Sequence, residues 1–598
     1  MSLSFRRTAS CAAASLLLFT GTYAPAQAET ATSTPKNVIV LIGDGMGYNY
    51  LDLYNAYNTG KVHYQVETGG DHKAISATLL NSAYSGSGFQ SWNRLSMQTN
   101  WAEGPTYDSN VAWANFDWVK NSPTDSAAAG TAMATGVKTY NAGIGVDVNE
   151  QTVENLSERA KSLGKSAGVV SSVQYSHATP ASFSAHSLSR NNYLEIANQQ
   201  VYGNMDVVMG AGHPWYNNDH QKISDPSYRY ISEADYTALS TGATDFTFVE
   251  DDDAFEKLTT GDTPDRVFGI AQVATTLQQA RSDAATPNDV VDLPTMTQGA
   301  LNVLDNNSEG FFLMVEGGAI DWTGHANQTQ HALEEITDFF EAVDAVNAWV
   351  EQNSSWDETL VIVTADHETG YLMGDPEGGF NPMVPQGIGQ YPTHSWNSGD
   401  HTNMLVPFFS KGAGATELEA ATVGRDQVHG RYLDNTSLAN WLLDTKWVAS
   451  AEPAPTPTEE PTAETTVAPT ADSSATSTAE PTAQPTSQPT AEPTSTPSTE
   501  PSASAAPSQE LSAEPTASAQ PANSAQPTSS VQQSTSAAAL TSGADTSGTD
   551  GVASSSTKPS KGVLASTGAS VAALALGALA LLGLGALALT VQRKKRSS

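Results

Sequence analysis

Several stretches of the 598-residue sequence set side chains able to bind cations or anions beside an apolar or small-residue run. Asp125-Ser126 opens the run Pro123 to Gly136, PTDSAAAGTAMATG, in which six of the seven residues after Ser126 are Ala, Gly or Thr. Such a run lets the backbone turn sharply into a helix and lets a ligand approach closely. A serine in the first helical turn lies where free N–H groups and the positive end of the helix dipole converge, a place for an anion. Taken alone, the run also fits an ordinary small-residue helix packed on a neighbour.

The other stretches supply metal-type ligands. Asp44 sits in Gly43-Asp44-Gly45-Met46-Gly47 after NVIVLI, where it either points into a crevice or caps the next helix. Asp321 and His325 are four apart, so one helical face carries both, as a metal pair or as a surface pair. Asp366 and His367 end TLVIVT, and Asp400-His401-Thr402-Asn403 precedes another apolar run. Thr179 before Pro180 presents a hydroxyl from an extended backbone, and Arg190 follows as a surface arginine or a bidentate phosphate clamp.

These residues need a scaffold that brings strand ends together. Asn37 to Ile42, Ala167 to Val173, Met205 to Gly212, Phe311 to Val315 and Thr359 to Thr364 are short β-branched or apolar runs bounded by turn residues. Runs apolar on both faces imply buried strands of a parallel sheet covered by helices, hence an α/β fold with ligands at the carboxyl ends of the strands. Val153 to Leu163, closed by Gly164, predicts an amphipathic helix, and Leu433 to Leu443 a closing helix. His186 and Arg190 fall in an expected helical stretch, whereas residues 50 to 119 read as irregular segments wrapping over the sheet. Residues 213 to 293 read as polar and variable, with the acidic run Glu250 to Asp253 solvated rather than a calcium loop.

Composition divides the chain further. Residues 1–28 combine Arg6-Arg7, an apolar stretch and Ala26-Gln27-Ala28, the layout of a cleaved signal peptide whose export route stays open. The single cysteine, Cys11, lies in that segment, so residues 29–448, the expected catalytic domain, have no disulfide and no thiolate ligand. A net charge of −37 argues against nucleic-acid binding. It also demands concentrated local positive charge, such as bound divalent metals, if the ligand is a phosphate. Residues 449–560 form a Pro/Thr/Ser/Ala-rich stalk too polar to bury a core. Leu564-Ala565-Ser566-Thr567-Gly568 follows, then an apolar segment at 569–591 long enough for one membrane crossing and a basic tail at 592–598. This order resembles a sortase sorting signal of the LAxTG form. The resemblance implies sortase and peptidoglycan as partners, cleavage after Thr567 and attachment to a Gram-positive cell wall; the alternative is a permanent membrane anchor.

Gly43 to Gly47, Thr124-Asp125-Ser126 with its small-residue tail, Thr179 with Arg190, Glu316 to His325, and Asp366-His367 with His401 together resemble the alkaline phosphatase family in order and spacing, over roughly Pro35 to Val448. The resemblance implies a three-layer α/β fold with a central, mostly parallel sheet flanked by helices. It implies one zinc on Asp321, His325 and His401, a second on Asp44, Asp366 and His367 with Ser126, and a magnesium on Asp44, Thr179 and Glu316. Arg190 would clamp a phosphate monoester while Ser126 becomes a phosphoserine, in a role of phosphate scavenging. His177 and Trp322 stand where the enterobacterial form has Asp and Lys, so they are expected to modulate the third site and its choice of metal. The family's usual homodimer is an assembly the sequence leaves open.

Within the superfamily, the absence of a C/S-x-P-x-R frame around Ser126 argues against a sulfatase, and the export signal against a cytosolic mutase. A phosphodiesterase would lack the third-metal set. From a different class, a wall-displayed adhesin on a phosphatase fold is equally compatible with stalk and anchor, but it has no need of Ser126 and every ligand.

Overall fold

The computed structural model describes residues 34–64, 88–374 and 379–448, together with the backbone of 66–68 and 74–77. The signal peptide, the stalk, the LAxTG motif, the 569–591 segment and the basic tail all lie outside the described residues. Among the described residues no helix is long and apolar enough to cross a membrane.

Asn37–Gly43 is buried at every position, as a strand apolar on both faces must be. It lies in the interior of an 11-stranded sheet, between Thr359–Thr364 and Phe311–Gly317, both parallel to it, with Leu41 opposite Val363 on one side and Val315 on the other. Ser166–Gln174, Val207–Ala211, Val267–Ile270 and Thr247–Val249 extend the parallel part outward from Phe311–Gly317. On the other side come Val406–Gly412, Asn93–Gln98, Gly430–Asp434 and Gly424–Asp426, of which the first and last run against the rest. The sheet is therefore mixed and mostly parallel, an α/β arrangement as expected.

Four neighbouring parallel strands, Thr359–Thr364, Asn37–Gly43, Phe311–Gly317 and Ser166–Gln174, all discharge at the same edge. That edge is where loops in α/β sheets bind ligands. The long helix Thr329–Asn353 packs on Leu293–Leu304, on Tyr48–Thr59 and on the two central strands Asn37–Gly43 and Phe311–Gly317.

The serine helix Ser126–Thr135 is buried along its whole length. It packs on the short helix Ala178–Ser182 at Gly130, where an added Cβ would stand 2.9 Å from Ser182 Oγ. The small-residue run is thus a packing surface as well as a serine mount. Gly45, at φ +73°, makes the turn after the first strand, and a Cβ there would come within 2.8 Å of the Asp321 backbone. Strand end and Asp321 helix can approach only because that residue is glycine.

Several expectations are corrected. The stretch 50–119 contributes a strand of the main sheet, Asn93–Gln98, and continues a helix, Tyr48–Thr59. Polar Asn, Arg, Ser and Gln interrupt the apolar pattern of that strand, so it does not read as one. The 213–293 region supplies two further sheet strands and the helices Glu233–Ser240 and Asp252–Leu258. The acidic run there is partly structural: Asp251 caps the second helix by accepting from Ala254 N, and Glu250 takes bonds from His213 and Tyr236. His186 and Arg190 lie beyond the five-residue helix Ala178–Ser182 in irregular chain. The expected 153–163 helix is shorter, Leu156–Ser162, because Asn155 and Glu158 close a capping box at its start. Leu433 belongs to the Gly430–Asp434 strand, and the closing helix begins only at Ser437.

Candidate active site

Asp44 follows the first strand directly. Its two carboxylate oxygens are buried and neither makes a hydrogen bond; Oδ1 stands 3.4 Å from His367 Nε2. Asp366 lies beside it, with Oδ1 accepting from Gly45 N at 3.1 Å and from His367 N at 2.9 Å, and Oδ2 is left without a bond 3.2 Å from His367 Nε2. The hydroxyl of Ser126 reaches the same imidazole, its Oγ 3.2 Å from Nε2. Asp44, Asp366 and His367 thus form one group able to hold a cation, with Ser126 at its margin.

A second group surrounds His401. Its Nε2 is 3.0 Å from His325 Nε2, and Asp321 reaches both rings, Oδ2 to His325 at 3.3 Å and Oδ1 to His401 at 3.4 Å. The remaining nitrogens are occupied: His401 Nδ1 pairs with Thr124 O at 2.7 Å and His325 Nδ1 with Gly399 O at 2.9 Å. Each Nδ1 tied to a carbonyl turns its ring so that Nε2, the atom through which a metal would bind, faces Asp321. Rings of His367 and His401 stack at 3.6 Å between centroids, so the two groups are contiguous.

The third group joins Asp44, Glu316 and His177. Glu316 Oε2 accepts from Ser171 Oγ at 2.5 Å, whereas its Oε1, the Thr179 hydroxyl and His177 Nδ1 are buried without hydrogen bonds. Arg190 stands at the edge of this group, Nη1 donating to Asp125 Oδ2 at 3.1 Å and Nη2 facing His177 Nε2 at 3.1 Å. Trp322 packs edge-on against the His177 ring at 5.8 Å.

All the expected site residues therefore converge at one sheet edge, Trp322 included. Two contributors, Thr369 and Ser171, escaped the sequence reading, and a third, Asp125, was named there without its role. Thr369 Oγ1 donates to Asp321 Oδ1 at 2.5 Å and lies 3.2 Å from His367 Nδ1, tying the two histidine groups together. Ser171 holds Glu316, and Asp125 both caps the serine helix and steadies Arg190. Asp125 was visible as the neighbour of Ser126; a threonine and a serine inside ordinary strand sequence carry no such signal.

Burying this many acids has an electrostatic cost that bound cations would offset. Burial, then Asp366, Asp321 and Glu316, push the Asp44 carboxyl well above its ordinary range. Burial raises Glu316 to about 7 and Asp366 to about 6. The orphaned oxygens and nitrogens fit metal ions: the histidine-bearing groups offer the mixed N/O sets that suit zinc, while carboxylate and hydroxyl oxygens around Asp44, Thr179 and Glu316 suit magnesium.

A pH dependence follows for the metal-free protein. Asp366 and Glu316 keep their protons in the folded state above the ordinary values of 3.8 and 4.5, so folding takes up protons between those values and about 6 to 7. The stability they contribute is present below pH 4 and is lost as pH rises through about 7, so thermal denaturation of chelator-treated protein should move to lower temperature between pH 5 and 8. Glu335, raised to about 8, and Asp338, raised to about 7, both by burial, lie on the long helix outside the cation groups. Their share of the loss should persist after metal is restored, and the share from Asp366 and Glu316 should disappear.

Known proteins point the same way. Residues 106–438 match the family described as Alkaline phosphatase. Alkaline phosphatase 4 of Bacillus subtilis is 34% identical over 342 residues, 56% of this chain and 62% of that protein's length. Alkaline phosphatase H of Pseudomonas aeruginosa is 33% identical over 372 residues, 57% of this chain and 71% of that protein. Among solved structures, the alkaline phosphatase of the Antarctic bacterium TAB5 matches 69% of this chain and 99% of its own at 26% identity, with a TM-score of 0.45. An α/β protein whose serine-bearing sheet edge gathers groups able to hold cations is what the fold and site define. The chain belongs to the alkaline phosphatase family.

Proposed function

We propose that this chain hydrolyses phosphate monoesters to an alcohol and inorganic phosphate through a phosphoserine on Ser126. The observation that carries the reading is the placement of Ser126 Oγ 3.2 Å from His367 Nε2, at the start of a helix and beside grouped acids and histidines, among which both oxygens of Asp44, Oδ2 of Asp366 and Oε1 of Glu316 are buried without a hydrogen bond.

Two zinc ions, on Asp321/His325/His401 and on Asp44/Asp366/His367, and a magnesium on Asp44, Thr179 and Glu316 would lower the pKa of hydroxyl and water and neutralise developing oxyanions. Arg190, fixed by Asp125, binds two phosphoryl oxygens with its planar fork. Ser126 Oγ attacks phosphorus, its proton passing to solvent, as the bond to the alcohol oxygen breaks, and the departing oxygen takes a proton from water. A second water then attacks the phosphoserine, releasing phosphate and restoring the serine hydroxyl. The N-terminus of the Ser126–Thr135 helix favours the anion throughout. His177, driven to about 3 by burial and by Arg190, stays neutral, so it can accept from the guanidinium without adding charge.

Comparing p-nitrophenyl phosphate with its bis ester tests the substrate class. The monoester should be hydrolysed much faster, with activity abolished by EDTA and restored by zinc; a preference for the diester refutes the reading. Zinc-loaded protein that cleaves neither ester favours the adhesin.

The signal peptide, stalk and LAxTG sequence support export, sortase cleavage and covalent wall attachment at a Gram-positive surface, consistent with phosphate scavenging outside the cell. Wall-released protein should end at Thr567; a chain retaining residues 569–591 indicates a membrane anchor instead. A homodimer is part of the same proposal, with sedimentation as its check.

A further inference from the structure

Two carboxylates approach one pair of imidazoles. Asp321 reaches His325 and His401 from inside the protein, where it is buried. Asp400 is exposed, and a carboxylate oxygen of it lies within 4.8 Å of a ring nitrogen of each of the same two histidines, forming a separate group able to hold a metal ion. The loop carrying Asp400 is fixed locally: its N–H donates to Ser398 Oγ at 2.9 Å, and its Oδ1 accepts from His401 N at 2.8 Å. His325 is itself exposed, whereas His401 is buried, so the pair spans the boundary between solvent and the interior. A cation arriving from water meets His325 and Asp400 before it can touch Asp321, and both candidate positions share the two imidazoles.

We propose that Asp400, with His325 and His401, forms an outer landing position for a divalent cation, from which it passes inward to Asp321 without releasing the imidazoles. The inference rests on the metal-site reading above and adds to it a residue that acts during loading. An exposed carboxylate beside the exposed His325 replaces part of the ion's water shell before the ion reaches the buried ligands, and it concentrates cations at the mouth.

Zinc uptake by the chelator-stripped full chain, followed in stopped flow by competition with a zinc-binding chromophore, tests this directly. Asp400→Asn keeps an oxygen able to accept from His401 N and removes only the charge. It should lower the uptake rate by about threefold to tenfold, while zinc content at saturation stays at the wild-type value. Asp400→Glu should restore most of the rate. An unchanged rate in Asp400→Asn overturns the proposal, and so does a missing ion at saturation, because Asp400 would then be a resident ligand. Wild-type protein that takes up no zinc refutes the metal-site reading itself, a result distinguishable from either.

Discussion

Ser126→Ala should lower phosphomonoesterase activity by at least on the order of 10³-fold while leaving bound metal close to the wild-type amount. The nucleophile is lost, but Asp44, Asp366 and His367 still surround the neighbouring cation position from three sides. Ala at the first position of the Ser126–Thr135 helix is compatible with the helix and leaves the Asp125 cap in place, so thermal stability should change little. Metal analysis and a p-nitrophenyl phosphate assay on the same preparation separate this outcome from misfolding, which would reduce both. A Ser126→Ala protein retaining activity within tenfold of wild type would remove serine from the proposed chemistry.

Asp44→Asn should act on two cation positions at once, because Asp44 belongs both to the group with Asp366 and His367 and to the group with Glu316 and His177. Loss of several kcal/mol of charge stabilisation corresponds to a fall in activity on the order of 10³-fold. The stability effect has the opposite sign. Without metal, Asp44 is a buried acid with two unpaired oxygens among three other carboxylates, and its ionisation is opposed by burial and by those neighbours. Replacing it by a neutral amide should raise the denaturation temperature of the metal-free protein more at pH 8 than at pH 5, because rising pH drives the ionisation that burial and the neighbouring carboxylates oppose. Calorimetry of metal-free and zinc-loaded samples at both pH values checks the sign: stabilised when empty, destabilised relative to wild type when loaded.

The centre of this molecule was legible in its sequence because continuous apolar runs advertise strands buried on both faces. Asn37–Gly43, Phe311–Gly317 and Thr359–Thr364 appear where NVIVLI, FFLMV and TLVIVT stand, and each is followed by its acid or histidine at the expected end. Single positions in those loops point inward because the chain turns there, so residue type and position sufficed to nominate Asp44, Asp321, Asp366 and His367. Beyond the Asp321 and His325 pair, which residues could share a cation did not follow from spacing; the resemblance implied it, and the strand order puts Asp44 within reach of two groups. Asp44 serves two groups because its strand lies between the strand leading to Asp366 and the strand carrying Glu316.

The outer sheet was much less legible. Asn93–Gln98 lies between Val406–Gly412 and Gly430–Asp434, where cross-strand neighbours rather than its own composition hold it. Thr247–Val249 is a three-residue edge strand, too short for a period to show. Supporting contacts in the site were hidden for a related reason. Thr369 donating to Asp321, and Ser171 holding Glu316, are contacts across 48 and 145 residues of sequence made by hydroxyls that could equally have faced a strand neighbour. Arg190 was nominated by type and placed on a helix that does not exist there; its real anchor is Asp125, 65 residues earlier.

The central claim is that Ser126 receives the phosphoryl group at a site assembled from these separated segments around bound cations. Zinc-loaded full-length protein, incubated with labelled inorganic phosphate, quenched in acid and mapped by peptide mass spectrometry, reads it directly. The expected result is covalent phosphate on the peptide containing Ser126, absent after EDTA treatment and absent in Ser126→Ala. Phosphate trapped on a different residue, or labelling of Ser126 that persists after the metals are stripped, would contradict it.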